Sequence, residues 1–272
     1  MTIEDIILRH SKRGMNILRE EMPGNYAEDA AKYILSWEKK NVFLTTGFYV
    51  AGFAETDGPV GTVTLARAMK ELGFEPVIVT DKFCDRFFDD EDFETVLAPL
   101  DADDSYFREL VDKYKPSGMI SIERCGINAH NDYANMRNIS IKENTSPIDR
   151  LFTLYSGEIP TVGVGDGGNE IGMGNVKEII ESKLSLVPCT VKCDKLVIAT
   201  VSNWGAYGII AYLAKITGKD IFPDYSEIAL FIEKTVKIGS VDGISHERVN
   251  HVDGFDESVE EEIATELKKA SR

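Results

Sequence analysis

The residue types best suited to chemistry lie in one glycine-rich loop, Gly165-Asp166-Gly167-Gly168-Asn169-Glu170. Glycines allow positive φ and a close approach of the backbone to a ligand, while carboxylate and amide side chains supply oxygen ligands or a proton acceptor. The alternative is a tight turn with solvent-facing polar residues, but the glycine density together with three polar side chains favours a functional loop. No Gly-Lys-Ser/Thr sequence follows, so this is not a Walker loop.

A second candidate loop, Glu55-Thr56-Asp57-Gly58-Pro59-Val60-Gly61-Thr62, precedes an amphipathic stretch. Backbone N–H groups at the start of a helix can bind a carboxylate or phosphate. The same residue types also serve as helix caps, with Asp57 or Thr62 accepting from the first amides. The sequence does not decide between these two interpretations, so Asp57 and Gly58 remain candidates for ligand binding.

Two further polar segments each follow an apolar, β-prone run. Glu123-Arg124 is either a structural ion pair, the commoner fate of such neighbours, or it presents Arg124 as a bidentate partner for a substrate carboxylate. Arg137 is an alternative partner for an anion. In Ser202-Asn203-Trp204-Gly205, the tryptophan either forms an apolar wall of a ligand site or packs in the core, which is the commoner outcome.

The carboxylates of these loops could together form a metal site. Asp57, Glu123 and Asp166 would offer hard oxygen ligands of the kind that magnesium and manganese prefer. The four histidines are scattered, and the sequence contains neither His-Glu-x-x-His nor Gly-x-Ser-x-Gly. Zinc-protease and Ser-His mechanisms are therefore disfavoured.

Alternating apolar runs and amphipathic stretches predict the elements that position these loops. We expect a helix, or two short ones broken near Gly14, at the start of the chain, and a turn at 202–205 before a helix at 209–216. Strands are predicted at 42–48, 77–80, 119–122, 160–164 and 195–201, and helices at 26–38, 62–72, 103–114 and 147–154. This order predicts an α/β fold with an open, mostly parallel sheet and helices on both faces. Ligands bind beyond the carboxyl ends of such strands, so the four polar loops are expected to converge there.

Composition limits the class of protein. The chain has 272 residues, of which 43% are hydrophobic and 28% charged, and this balance predicts a sizeable core and one domain over residues 1–272. A formal net charge of −16 argues against nucleic acid or an anionic membrane as a partner. The start of the chain lacks a secretion-signal layout and no apolar run suits a membrane helix, so we expect a cytoplasmic protein. The acidic run around Glu257 to Glu262 is expected to be a solvated face.

Several motifs in chain order resemble the D-glutamate cyclase family, specifically its C-terminal domain, formerly a domain of unknown function, here as a stand-alone domain. The motifs that carry the resemblance are Glu55-Thr56-Asp57-Gly58-Pro59, Ser121-Ile122-Glu123-Arg124, Gly163-Val164-Gly165-Asp166-Gly167-Gly168-Asn169-Glu170, Val201-Ser202-Asn203-Trp204-Gly205 and Val252-Asp253-Gly254. They span nearly the whole chain, and the long glycine-rich run is the most specific of them.

The resemblance implies a carbon–oxygen hydro-lyase that converts D-glutamate to 5-oxo-D-proline and water. It implies Asp166 or Glu170 as the base, loop amides as oxyanion donors, and Glu123 or Asp57 as the ligand of a magnesium or manganese ion or as the acid for departing water. Arg124 would hold the α-carboxylate. The residues placed at the substrate are Asp57, Gly58, Arg124, Arg137, Gly167, Gly168, Asn169, Ser202, Asn203 and Trp204.

Two rival hypotheses use the same loops. One is a metal-dependent hydrolase of a small phosphorylated substrate, which the missing P-loop lysine disfavours. The other is a sensor that binds an amino acid without turnover and would be recognised by ligand-induced stabilisation. In each case the partner is a small molecule, and the sequence leaves open whether the protein forms a homo-oligomer.

Overall fold

Eight strands appear in the computed structural model, which describes residues 1–184 and 186–272. Six of them form one parallel sheet in the order β5-β4-β1-β6-β7-β8, and β2 pairs with β3 as a small antiparallel hairpin. The strands are β1 Asn41–Thr45, β2 Tyr49–Val50, β3 Phe53–Ala54, β4 Glu75–Thr80, β5 Glu94–Leu97, β6 Met119–Ile122, β7 Thr161–Gly165 and β8 Lys195–Ile198.

The central strands are apolar on both faces because helices cover the sheet. Val42, Phe43 and Leu44 of β1 are all buried, as is the whole of β6. From β1 the chain proceeds outward through β4 to β5, then returns to β6 and proceeds through β7 to β8. The order of the strands thus reverses between β1 and β6, which leaves a crevice at their carboxyl ends where ligands of such sheets bind.

Helices pack around the sheet. They are α1 Ile3–Ile7, α2 Met15–Arg19, α3 Tyr26–Leu35, α4 Pro59–Glu71, α5 Asp104–Tyr114, α6 Arg150–Leu154, α7 Lys177–Lys183, α8 Ser202–Thr217, α9 Tyr225–Ile238 and α10 Glu257–Ala270. Helix α8 is buried from Ser202 to Ala214 and packs against α3 and α4. Asp103 and Asp256 accept from backbone amides in the first turns of α5 and α10, which fixes where these helices begin.

The predicted α/β fold with a parallel sheet and surrounding helices is confirmed. The predicted turn at 202–205 is wrong, because these residues form the first turn of α8. The sequence patterns did not predict β5, the hairpin, α7, α9 and α10. One continuous hydrophobic cluster extends from Ile3 to Leu267, while the division of the chain into domains stays a prediction.

The expectation of a solvated acidic face at α10 is wrong for one residue. Glu260 is buried and accepts hydrogen bonds from Trp204 Nε1 at 2.6 Å and from the Tyr207 hydroxyl at 2.9 Å. Two donors on α8 thus bind the carboxylate that the sequence pattern assigned to solvent. Among the described residues, the structure contains no helix with the length and apolar character needed to cross a membrane.

Candidate active site

The four polar loops meet at the carboxyl edge of the sheet, as predicted. One carboxylate oxygen from each of Asp57, Glu123 and Asp166 lies within 4.8 Å of the others, and all three side chains are buried. They follow β3, β6 and β7, respectively. Ser202, which follows β8, donates its hydroxyl to Glu123 Oε2 at 2.6 Å. The crevice between β1 and β6 therefore brings together polar side chains from loops that are far apart in the sequence.

Two helix starts are joined at the site by reciprocal capping. Asp57 accepts from the backbone amides of Ser202 and Asn203, each at 2.8 Å, at the start of α8. In return, Asn203 Oδ1 accepts from the amides of Gly58 at 2.9 Å and Gly61 at 2.7 Å, at the start of α4. Asp57 is thus a cap, but of a helix 145 residues away rather than of its own. This arrangement fixes both loops against each other.

Glu123 occupies a strained backbone position at the end of β6. Its φ is +45°, a conformation that non-glycine residues rarely adopt and that is concentrated at functional sites. Gly58 approaches it so closely that an added Cβ would lie 2.8 Å from the Glu123 Cβ, and its own φ is +96°. A side chain at position 58 would therefore displace Glu123. The position of this carboxylate depends on a glycine of the neighbouring loop.

The glycine-rich loop is closed by its own glutamate. Glu170 accepts from the backbone amides of Gly167 and Gly168, each at 2.7 Å. Asn169 donates to the Ala134 carbonyl at 2.9 Å. The two glycine amides that were expected to act as oxyanion donors are therefore directed at a protein carboxylate. In this arrangement Glu170 holds the loop in shape.

Arg13, which the sequence analysis missed, covers the acidic cluster. Its guanidinium forms ion pairs with Asp166 and Asp253 and lies 3.4 Å from the Thr200 carbonyl. The side chain is 26% exposed, whereas the Asp166 side chain beneath it is 1% exposed. The sequence between α1 and α2 contains no motif that would predict this contact. Asp253, by contrast, lies in the Val252-Asp253-Gly254 motif.

Burial keeps several carboxyl groups of the site close to their neutral form. Burial, reinforced by Asp253, raises the pKa of Asp57 to about 7 against the opposing effect of the Asn203 and Ser202 amides. Burial and the neighbouring Glu170 raise the pKa of Glu123 well above its ordinary value. Burial also raises the pKa of Asp166 well above its ordinary value, although Arg13 opposes it. Carboxyl groups with pKa values raised by burial and by neighbouring acids are concentrated at functional sites.

The guanidinium of Arg13 is stabilised in its charged state by these neighbours. Burial works against the cation, but Asp166 and Asp253 outweigh it and hold the Arg13 pKa well above its ordinary value. Arg13 is therefore a permanent positive charge on a cluster of acids. It offsets part of the repulsion that would otherwise separate the loops.

A small cavity of about 160 Å³ opens beside this cluster. Its size is close to that of an engineered cavity of about 150 Å³ that admits benzene, so it suits a small molecule. The polar residues of its lining are Arg13, Glu55, Glu123, Glu170, Asn135, Arg137, Asn169 and His246. The apolar residues of its lining, which we call the apolar wall, are Phe48, Tyr49, Val50, Ala51, Met136, Ile139 and Ile141.

The predicted residues are not all at the cavity. Those that line it are Glu123, Arg137, Gly167, Asn169 and Glu170. Arg124 is fully buried, donates to the carbonyls of Gly47 and Ser146 at 2.7 Å each, and pairs with Asp81 at 2.7 Å. These contacts occupy the two terminal nitrogens of the guanidinium that was expected to hold a substrate carboxylate.

Trp204 has the core role that was the commoner alternative. It is fully buried, packs its ring 5.2 Å from the ring of Phe255, and donates to Glu260. Asn203 and Ser202 hold the framework described above, and Gly58 and Gly168 permit the close approach of loops. The structure brings these residues to the edge of the site as supports for Glu123 and Asp57.

The trio of Asp57, Glu123 and Asp166 has donor atoms that fit a divalent cation. Asp166 Oδ1 is buried and has no hydrogen-bond partner among the residues that the structure describes, an arrangement that a bound cation would relieve. Carboxylate oxygens are the ligands that magnesium and manganese prefer. The backbone amides on Asp57 and the guanidinium on Asp166 already occupy other lone pairs of the trio.

Fold and site together define a doubly wound α/β protein with an acidic, ligand-sized cleft at the point where its strand order reverses. A profile of the D-glutamate cyclase-like, C-terminal family matches residues 3–268, and the chain belongs to that family. The mitochondrial D-glutamate cyclase of Homo sapiens is 34% identical over 201 residues, which cover 64% of this chain and 32% of that protein. The chain thus spans about a third of the length of that relative.

Solved structures show only distant likenesses. An exopolyphosphatase-related protein from Bacteroides fragilis gives a TM-score of 0.43 at 8% identity, over 92% of this chain and 58% of that one. UDP-glucose 4-epimerase from Brucella ovis, in complex with NAD, gives 0.32 at 13% identity, over 58% of this chain and 50% of that one. At such low TM-scores neither likeness bears on function.

Proposed function

We propose that the chain catalyses ring closure of D-glutamate to 5-oxo-D-proline with loss of water, a carbon–oxygen hydro-lyase reaction. Membership of the family and the printed name of the human relative support this reaction class. The observation that carries the proposal is the buried Glu123 carboxyl group with a raised pKa on the lining of a cavity of about 160 Å³, with Asp57, whose pKa is also raised, buried beside it. A carboxyl group with a raised pKa can act as a general base and then as a general acid.

The reaction poses two chemical problems. The α-ammonium group must lose a proton before its nitrogen can attack, and the side-chain carboxylate must become electrophilic. A cavity that folds the substrate so that nitrogen and carboxyl carbon touch gains from an oriented intramolecular reaction, which contributes up to roughly 7 to 11 kcal/mol. Positioning of the substrate is therefore a large part of the proposed catalysis.

We assign the proton transfers to Glu123. It lines the cavity, accepts a hydrogen bond from Ser202 through Oε2, and has a pKa well above the ordinary value. A carboxylate with a raised pKa is the stronger base towards the ammonium group, and its acid form can then protonate the departing oxygen. Asp166 lies under Arg13 and Glu170 holds the glycine loop, so these two position the site in our proposal.

Arginine side chains would bind the carboxylates of the substrate. Arg137 lies on the cavity wall and suits the α-carboxylate by charge-assisted, bidentate hydrogen bonds. Asp57 and Asp166 would hold a magnesium or manganese ion, with Glu123 as a third ligand only in place of its role in proton transfer. When bound, such an ion supplies Lewis-acid polarisation of the reacting carboxyl group. Cytoplasmic location and homo-oligomer formation stay predictions.

The proposal is tested by incubating purified protein with D-glutamate and, separately, with L-glutamate, with and without manganese or magnesium. Chiral mass spectrometry follows 5-oxoproline. We expect product from the D enantiomer. Thermal stabilisation by D-glutamate without product, from protein shown to be folded, would instead favour a binding protein. Metal-dependent release of phosphate from a phosphorylated compound would favour the hydrolase hypothesis.

A further inference from the structure

The charges on the cavity wall match a ligand with one carboxylate. The wall carries two arginines, Arg13 and Arg137, and Arg13 is already paired with Asp166 and Asp253. Within residues 1–184 and 186–272, Arg137 forms no ion pair. One arginine is thus available for an anionic group of a ligand.

A second carboxylate on the ligand would lie next to acidic side chains of the cavity. Glu55, Glu123 and Glu170 line the same cavity, and Asp57 lies buried behind them. In a desolvated site, a second carboxylate of the ligand is either repelled by the ionised forms of these acids or holds them protonated, and a protonated Glu123 cannot take the proton of the ammonium group. The free side-chain carboxylate of glutamate therefore requires additional positive charge in this cleft, whereas an uncharged γ-carbonyl group does not. An amide carbonyl is also the better electrophile, because it carries no negative charge.

The apolar residues that line the cavity can contact more hydrocarbon than glutamate contains. Tyr49, Val50 and Ile141 form the inner part of the apolar wall, and Met136 and Ile139 lie at the mouth with 36% and 57% of their surface exposed. Free glutamate offers only two methylene groups to this wall. Apolar surface that faces a ligand site favours an apolar group of the ligand, because its burial is stabilising.

We infer that the cleft also accepts γ-glutamyl amides of apolar amines and releases the amine by cyclisation. The α-nitrogen, after giving a proton to Glu123, attacks the γ-carbonyl carbon and forms the ring C–N bond. The ring nitrogen, which is cationic after the attack, releases its second proton to solvent. The original amide C–N bond then breaks, and the leaving amine takes the proton back from Glu123. The products are 5-oxoproline and the free amine, and no water is consumed. This inference rests on the ring-closing chemistry of the proposed function.

The test compares γ-D-glutamyl anilide with D-glutamate and with γ-D-glutamyl methylamide, whose substituent is too small to reach the apolar wall. We expect aniline and 5-oxoproline in equal amounts, with a kcat/KM at least about ten-fold above that for the methylamide, which corresponds to about 1.4 kcal/mol. Turnover of D-glutamate without release of aniline would overturn the inference and leave the proposed function standing. Release of aniline together with glutamate would mean hydrolysis and would also overturn it.

The converse outcome separates the two proposals. Cyclisation of the anilide without turnover of D-glutamate would support the inference and remove the free acid as a substrate. Protein that is folded and turns over neither compound would overturn both.

Variants at the mouth of the cavity test the apolar wall itself. Ile139→Ser should raise KM for the anilide about three- to ten-fold, and by more than it raises KM for the methylamide, because apolar contact is removed. Leu230→Ser is the matched control, since Leu230 is also exposed but lies on α9 away from the cavity. Equal KM values for the anilide in both variants would contradict a substrate role for this wall.

Discussion

Asn203→Ala should destabilise the protein strongly although the residue was expected to bind substrate. Asn203 is fully buried, and its Oδ1 accepts from the amides of Gly58 and Gly61 at 2.9 and 2.7 Å. Its Nδ2 donates to the Thr56 carbonyl at 3.2 Å. Alanine removes all three hydrogen bonds. The Gly58 amide keeps Asp57 Oδ1 as an acceptor at 2.9 Å, whereas the buried Gly61 amide at the start of α4 is left unpaired.

The magnitude follows from the Gly61 amide. A buried donor left without a partner costs about 1–3 kcal/mol, and loss of a helix cap costs about 0.5–2 kcal/mol. Because both losses concern the same amide, we expect the free energy of unfolding to fall by about 1–3 kcal/mol. Asn203→Asp keeps the acceptor and, once protonated, regains a donor, so its loss should be smaller at pH 5.5 than at pH 8.

Equilibrium unfolding in urea, followed by circular dichroism, measures this difference. Asn25→Ala is the matched control, because Asn25 precedes α3 but makes no capping hydrogen bond and is exposed. It should change the free energy of unfolding by less than about 0.5 kcal/mol. An Asn203→Ala protein within that margin of the wild type, at unchanged m-value, would refute the reciprocal capping of α4 and α8.

The remaining predictions concern the charges of the site. Glu123→Gln should leave the melting temperature at pH 8 unchanged or raise it, because a neutral side chain replaces a buried carboxyl group with a raised pKa; thermal unfolding checks this, and a marked drop would contradict it. Asp57 has a folded pKa of about 7, above its unfolded value, so its contribution to stability is complete below about pH 4 and is lost as pH rises towards 7. Asp57→Asn should therefore flatten the fall of melting temperature between pH 5 and pH 8 in metal-free protein, and an unaltered slope would contradict the raised pKa. Arg13→Met should cost about 2–4 kcal/mol at pH 8 and less at pH 5.5, because Asp166 loses its cation but, with its raised pKa, can take up a proton; urea unfolding at the two pH values measures this, and an equal loss at both would count against it.

The sequence predicted the framework of the site because local signals determine it. Apolar runs gave β1, β4, β6, β7 and β8, and polar loops after parallel strands must meet at one edge of a sheet. The grouping of Asp57, Glu123 and Asp166 followed from that rule alone, and the structure brings these three side chains together. The convergence of the polar loops could thus be predicted without knowledge of side-chain contacts.

Long-range contacts explain what the sequence could not show. Arg13 reaches Asp166 across 153 residues, and nothing near Arg13 marks it as different from other arginines. Ser202-Asn203-Trp204-Gly205 has the composition of a turn, but Asp57 supplies the missing cap, so a helix begins there. Glu260 has the neighbours of a solvated face, yet Trp204 and Tyr207 provide buried donors. In each case the deciding partner comes from another element.

The measurement that tests the central claim most directly is formation of 5-oxo-D-proline from D-glutamate by Glu123→Gln compared with Glu143→Gln. Glu143 is an exposed glutamate outside the cavity, so its variant is the matched control. The account predicts that kcat falls by about 10²–10⁴ for Glu123→Gln, because a general acid–base group is lost, and stays at the wild-type value for Glu143→Gln. Wild-type turnover by a folded Glu123→Gln protein would contradict the account.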